Sequence, residues 1–87
     1  GEEFAVVLPG CQTDKAALLA EICRDAIAAI DTKESGSAFP LTASFGVSGS
    51  DTSGYQLKQL LADADKALYS AKEAGRNQVI SYADTVI

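Results

Sequence analysis

Residues 60–79 read LLADADKALYSAKEAGRNQV, and this stretch combines a helical repeat, a stop signal and the start of a strand. Its apolar residues continue a repeat that begins upstream and returns every three or four positions, the spacing of one helix face. The pattern predicts a helix over about residues 55–74, ended by Gly75. Residues 78–82, QVISY, then have the composition of a strand.

A second strand is predicted upstream, where residues 41–48 read LTASFGVS. Apolar and polar positions alternate here with the strict period of two that a strand requires. The second face contains only small side chains, which predicts that another part of the chain approaches it closely. A helix backbone is favoured over a ligand as that neighbour. The small residues are Thr42, Ser44, Gly46 and Ser48.

The first 30 residues predict one more strand and one more helix. The apolar run at residues 4–8 ends at a Pro-Gly pair, which is typical of a buried strand entering a turn. Thr13 is the predicted N-cap of an amphipathic helix over about residues 14–30, with Cys23 on its buried side. Residues 31–38 and 49–54 are predicted loops.

The predicted order is therefore β-α-β-α-β, followed by a tail over residues 83–87. Strands separated by helical crossovers can lie in one sheet with the helices covering a face, so the predicted fold class is α/β (α+β). Three strands leave much of such a sheet without partners at its edges. The pattern therefore predicts one part of a larger domain.

Composition excludes several classes of function. The net charge of −5 over 87 residues argues against nonspecific nucleic-acid binding, which requires many phosphate-neutralising bases. No apolar run approaches the ~20 residues of a membrane span, so no direct membrane contact is expected. With no histidine, Cys11 and Cys23 do not form a zinc site. Reduced cysteines and a cytoplasmic location are expected.

Two groups of residues could carry chemistry. Glu2 and Glu3 precede the first predicted strand, where adjacent carboxylates form either a solvated turn or a site for Mg²⁺, which prefers oxygen ligands. Lys72 and Arg76 bracket Gly75 at a helix C-terminus. Bases there either meet the negative end of the helix dipole or form a local cluster that binds phosphates.

Three stretches together resemble the GGDEF domain of diguanylate cyclases. They are GEEF at residues 1–4, TASFGVS at residues 42–48 and the stretch at residues 60–79, which fills nearly every position of that family's helix-and-turn signature. The resemblance covers almost the whole chain. It implies a sheet like the palm of nucleotide cyclases and polymerases, which is ferredoxin-like. It also implies that residues 1–87 are the C-terminal portion of a single GGDEF domain, with the N-terminal half absent from this chain.

The resemblance also implies a function, in which two GTP molecules are condensed into cyclic di-GMP with release of two pyrophosphates. Gly1 would let the backbone approach the nucleotide, and Glu2 would bind metal. Glu3 would be a second catalytic acid, and Lys72 and Arg76 would bind the terminal phosphates of GTP. Phe4 would lie in the core. Mg²⁺ or Mn²⁺ is implied, with two ions for each GTP.

The implied partners are GTP, a second GGDEF domain and an upstream sensory or receiver domain, with any membrane tether outside these residues. A secondary inhibitory arginine of some members corresponds to Ile22 here, which argues against feedback inhibition. The isolated 87 residues are expected to be inactive. Two alternatives remain at this point: a non-catalytic GGDEF domain that binds GTP or a protein partner, and an interaction module that pairs through an exposed strand edge.

Overall fold

The computed structural model describes residues 3–30 and 41–85. These residues form a mixture of helices and a small sheet, in the order α1 (Thr13–Ala28), β1 (Phe45–Val47), α2 (Ser50–Ser53), α3 (Leu57–Glu73), β2 (Val79–Ser81) and α4 (Tyr82–Thr85). The predicted α+β character is confirmed, and the ferredoxin-like strand order stays a prediction. Among the described residues, no helix has both the length and the apolar character needed to cross a membrane.

The sheet of the described residues consists of β1 and β2. The two strands run parallel, with Gly46 opposite Ile80, and helix α3 packs against both of them. Two alanines of α3, Ala67 and Ala71, are fully buried and form the centre of this packing. The C-terminal end of α3 leads directly into the turn that precedes β2.

The small-residue face of β1 packs against the backbone of α3, as the sequence predicts. A Cβ atom added to Gly46 would lie only 2.1 Å from the carbonyl oxygen of Ala64 and 2.3 Å from the amide nitrogen of Leu68. Just beyond β1, the Ser48 hydroxyl donates a hydrogen bond of 2.6 Å to the carbonyl oxygen of Leu60. A larger side chain on this face would push the helix away from the sheet.

Helix α3 ends as predicted at Gly75, which has a φ of +118°. The Gly75 N–H donates to the Lys72 carbonyl at 3.4 Å, and the Arg76 N–H donates to the Ala71 carbonyl at 2.9 Å. This pair of bonds is the Schellman arrangement, which satisfies the last carbonyls of a helix and favours glycine at the first position beyond it. The helix boundaries lie within two residues of the predicted ones.

Helix α1 differs from its prediction in two respects. Gln12, not Thr13, occupies the N-cap position, because the Thr13 hydroxyl instead donates to Asp51 Oδ1 at 2.7 Å. Cys23 is exposed, although the sequence predicts it to be buried. Three of the seven partly covered residues of α1 are alanines, whose small side chains allow close approach to the sheet. The partly covered residues include Ala16, Ala17, Ala20, Arg24 and Ile27.

The predicted strand at residues 4–8 is not observed. Phe4 is 86% exposed and Val6 is 79% exposed, so the expectation that Phe4 lies in the core is also wrong. A strand forms only where a neighbouring strand accepts and donates its backbone hydrogen bonds. None of the described residues provides that neighbour.

The connections around the sheet match their predictions in part. The predicted loop at residues 49–54 contains the single helical turn α2, and the predicted tail begins with the short helix α4. The predicted loop at residues 31–38 lies outside the described residues. Cys11 and Cys23 are free cysteines in the structure, and their reduced state stays a prediction.

Candidate functional site

Two of the predicted site residues, Glu3 and Lys72, meet although they lie far apart in the chain. The Lys72 ammonium group donates a hydrogen bond of 2.9 Å to Glu3 Oε1. Lys72 projects from the last turn of α3, and Glu3 lies in the segment before Pro9, which has no regular secondary structure. Glu2, the other residue of the predicted acidic pair, lies outside the described residues, as does Gly1.

A pocket of about 250 Å³ surrounds this contact. Besides Glu3 and Lys72, its lining includes Asp65, Leu68 and Tyr69 of α3. The sequence prediction missed these three residues. Positions 65, 68, 69 and 72 share one face of a helix, so the helical spacing from Lys72 was the signal that could have identified them.

The contact with Lys72 changes the acidity of Glu3. The hydrogen bond from the Lys72 ammonium group, assisted by its positive charge, lowers the pKa of Glu3 below the ordinary value of 4.5. A carboxyl group whose pKa is lowered by folding stabilises the folded state above its unfolded pKa. That stabilisation disappears as the pH falls through the lowered folded pKa.

We expect the Lys72→Met substitution to raise the pKa of Glu3 toward 4.5, because methionine fills similar space without donating a hydrogen bond or carrying charge. An NMR titration of the Glu3 carboxyl carbon measures the change. The matched control is Lys58→Met, which removes a base from the exposed N-terminal part of the same helix. An unchanged Glu3 pKa in the Lys72 variant would show that the two side chains do not pair in solution.

Arg76 lies just past the end of α3, in an exposed turn. Its φ is +63°, and the following residue, Asn77, has a φ of +49°. Within residues 3–30 and 41–85, no side-chain hydrogen bond or ion pair involves the Arg76 guanidinium group. The second predicted phosphate-binding base is thus presented at the surface, four residues after Lys72.

Position alone does not decide what the two bases do. The carbonyl groups at the C-terminus of α3 carry partial negative charge, which stabilises nearby bases whether or not a ligand binds. Lys72 already satisfies its charge through Glu3, with its side chain 35% exposed. A phosphate role therefore needs support from the chemistry of the whole site.

The described part of the pocket offers oxygen ligands that suit Mg²⁺, but it does not form a complete metal site. Glu3 and Asp65 contribute carboxylates, which are the donors that a hard cation prefers. No group of three or more potential ligands is arranged around one point in the described ranges. Glu2, the predicted metal ligand, is not among those residues. The metal site stays a prediction.

Comparison with known families decides the identity of the domain. The family model described as "Diguanylate cyclase, GGDEF domain" matches residues 1–78. The chain belongs to the GGDEF family. The match includes both the GEEF stretch and the Lys72–Arg76 turn, so the resemblance noted from the sequence is confirmed.

Several curated proteins are similar to this GGDEF domain. Over 91% of the chain it is 42% identical to the uncharacterized protein YhcK of Bacillus subtilis (strain 168). It is 35% identical over 92% of the chain to the probable diguanylate cyclase DgcT of Escherichia coli (strain K12). It is also 35% identical, over 91% of the chain, to diguanylate cyclase A of Treponema denticola (strain ATCC 35405).

These relatives are much longer than the GGDEF chain described here. The matched region spans 22% of YhcK, 18% of DgcT and 21% of diguanylate cyclase A. The GGDEF domain is therefore a small part of each of these larger proteins. No solved structure gives a significant match to the chain.

Proposed function

We propose that the full-length protein carrying this GGDEF domain is a diguanylate cyclase. It would condense two GTP molecules into cyclic di-GMP and release two pyrophosphates. The observation that carries the proposal is the pocket in which Glu3 meets Lys72, within a chain matched by the diguanylate cyclase family model. This pocket combines a carboxylate and a base of the types that nucleotidyl transfer requires.

Lys72 and Arg76 would bind the terminal phosphates of GTP. Lysine supplies a compact positive charge, and arginine supplies a planar fork that can bond two phosphate oxygens at once. A triphosphate carries more negative charge than one carboxylate, so it would compete with Glu3 for the Lys72 ammonium group. Displacing Glu3 would then leave that carboxylate available beside the bound nucleotide.

Gly1, Glu2 and Glu3 would form the catalytic side of the site. The missing side chain of Gly1 would allow the backbone to approach the nucleotide. Glu2 would hold metal, and Glu3 would assist the metal site or orient the attacking ribose hydroxyl. Mg²⁺ or Mn²⁺, two ions for each GTP, would stabilise the charge that develops on the reacting phosphate.

The reaction joins two nucleotides, so two GGDEF domains, each with one GTP, would have to face each other. The domain would act in the cytoplasm as part of a longer protein, with an upstream sensory or receiver domain. The short share of its relatives that the chain spans supports its place in a longer protein. The 87 residues alone are expected to be inactive, since fewer than three potential metal ligands meet in the described residues. By resemblance, the residues that recognise guanine would lie in the N-terminal half of the domain.

The test is to incubate the full-length protein with GTP and Mg²⁺ at high protein concentration and to separate the nucleotides by chromatography. We expect cyclic di-GMP to form, and we expect Glu2→Gln to reduce its rate by at least about 100-fold, as loss of one charged catalytic group does. Glu73→Gln is the matched control, because it removes an exposed carboxylate of α3 outside the pocket lining. GTP binding without product would favour a non-catalytic GGDEF domain that binds GTP. Absence of GTP binding would overturn both of these readings and leave a GGDEF domain that binds a protein partner.

A further inference from the structure

Arg24 of α1 reaches the turn that follows α3. Its Nη1 donates a hydrogen bond of 2.9 Å to Asn77 Oδ1, across 53 positions of the chain. The Arg24 side chain is only 17% exposed, in a helix with no fully buried residue among those described. This contact therefore connects two separate elements through a largely covered guanidinium group.

Two carboxylates of α1 fix the orientation of that guanidinium group. Nε donates to Glu21 Oε1 at 2.8 Å, and Nη2 donates to the same oxygen and, at 2.8 Å, to Asp25 Oδ1. The hydrogen bond to Glu21, with the charge of the two carboxylates, raises the pKa of Arg24 above its ordinary value. With Nε and Nη2 held in this way, Nη1 points toward Asn77.

The turn that Arg24 contacts has an unusual backbone. Gly75, Arg76 and Asn77 have φ values of +118°, +63° and +49°, so three consecutive residues have positive φ. Glycine and asparagine tolerate this region, but arginine rarely adopts it. Such a conformation persists only where surrounding contacts impose it.

Those contacts come from several parts of the fold. The Ala71 carbonyl accepts from the Arg76 N–H at 2.9 Å, and the Ser44 hydroxyl accepts from the Asn77 N–H at 3.0 Å. The Gln78 side chain donates to the Arg76 carbonyl at 3.1 Å. The bond that Ala71 accepts belongs to the C-terminal cap of helix α3. The bond that Ser44 accepts and the bond that Arg24 donates hold Asn77 instead, the residue directly after Arg76.

We propose that Arg24, together with Ser44, is a positioning residue that holds the Gly75–Asn77 turn in its left-handed form and so aims Arg76 at the terminal phosphates of GTP. This inference rests on the proposed function of Arg76. Arg24 acts through the turn, since four of its five N–H groups already donate to Glu21, Asp25 and Asn77. We call the contacts of Arg24 and Ser44 with Asn77 the turn lock. This lock links the affinity for a triphosphate to the packing of α1.

A double-mutant cycle on the full-length protein tests the proposal. The variants are Arg24→Ala, Arg76→Ala and the double variant, and the probe is the α,β-methylene analogue of GTP with Mg²⁺, which cannot release pyrophosphate. Calorimetry should show that Arg24→Ala weakens binding about fivefold to tenfold, which is the size of effect that loss of one ordinary hydrogen bond has. In the Arg76→Ala background, the same substitution should cause no further loss. An equal loss in both backgrounds would overturn the proposal.

Two further variants separate positioning from general damage to the fold. Asn77→Ala removes the acceptor of Arg24 and also a residue type that tolerates positive φ, while the bonds of Arg24 to Glu21 and Asp25 stay in place. Both changes loosen the turn, so this variant should reproduce the loss of affinity. Lys15→Ala removes a base from an exposed position of the same helix and should leave affinity unchanged. If Asn77→Ala binds the analogue as well as the unchanged protein does, the lock does not aim Arg76.

Amide hydrogen exchange at Asn77 measures the lock without any nucleotide. Arg24→Ala should accelerate exchange there, because Asn77 loses one of its two hydrogen bonds, the one from Arg24, and keeps only the one to Ser44. Lys15→Ala should not change the exchange rate. Unchanged exchange would overturn the lock itself, whatever Arg76 binds. Unchanged analogue affinity in the Arg76→Ala variant would instead overturn the proposed phosphate role and with it the purpose of the lock.

Discussion

Replacing Lys72 or Arg76 with alanine is expected to lower kcat/KM for cyclic di-GMP synthesis by about 100-fold to 1,000-fold. Each base would supply a charge-assisted bond to phosphate oxygens, and loss of one such group from a transition state has effects of this size. Both residues lie at the C-terminal end of α3, one in its last turn and one in the turn beyond it. The effect is measured from the rate of product formation over a range of GTP concentrations.

Two further variants sharpen this prediction. Arg76→Lys keeps the charge but loses the fork, so we expect it to recover only part of the activity. Lys58→Ala removes a base from the exposed N-terminal part of α3 and should leave kcat/KM unchanged. If kcat/KM of the alanine variants at positions 72 and 76 stays within about twofold of that of the parent protein, the two bases only stabilise the C-terminal end of helix α3.

The Gly46→Ala substitution is expected to destabilise the domain by about 3 kcal/mol or more, as severe overpacking does. The added Cβ would lie 2.1 Å from the Ala64 oxygen and 2.3 Å from the Leu68 nitrogen. Both are main-chain atoms, which cannot rotate out of the way. Helix α3 would have to move off the sheet and take Lys72 with it. Chemical denaturation of the parent and variant proteins measures the change.

Gly10→Ala is the matched control for this substitution. Gly10 has a φ of +70°, but a Cβ atom there would meet no described atom within 4 Å. The control therefore carries only the cost of an unfavourable backbone conformation, about 1 kcal/mol. If Gly46→Ala is no more destabilising than Gly10→Ala, helix α3 does not pack against β1 as closely as described.

The features that could be predicted from the sequence depend on short-range patterns. The spacing of apolar residues identified α3, and Gly75 marked its end because glycine suits the positive φ found there. The period-two pattern around Gly46 predicted both a strand and close packing on a helix backbone. In each case, residues near one another in the chain carry the whole signal.

The features that could not be predicted depend on partners. Residues 4–8 have the composition of a strand, but a strand also needs a neighbouring backbone, which no described residue provides. Thr13 has the right side chain for an N-cap, but its hydroxyl bonds to Asp51. For α1, Cys23 was expected on the buried side, but it is exposed. The side toward the sheet instead contains small alanines, which allow a closer approach.

The candidate site likewise has features that the sequence could predict and features that it could not. The types of Glu3 and Lys72 indicated their chemistry, and the family resemblance suggested that they act together, which their hydrogen bond supports. The contact of Arg24 with Asn77 spans 53 positions and follows no periodic pattern. Only the three-dimensional arrangement reveals it.

The proposal that Lys72 and Arg76 bind terminal phosphates is tested most directly by the affinities of the full-length protein for GMP, GDP and the α,β-methylene analogue of GTP, with Mg²⁺ present. Affinity should therefore rise with each added phosphate, and most of that rise should disappear when both bases are replaced by alanine. Equal affinity for GMP and the triphosphate analogue, or a rise that survives the double replacement, would contradict the claim.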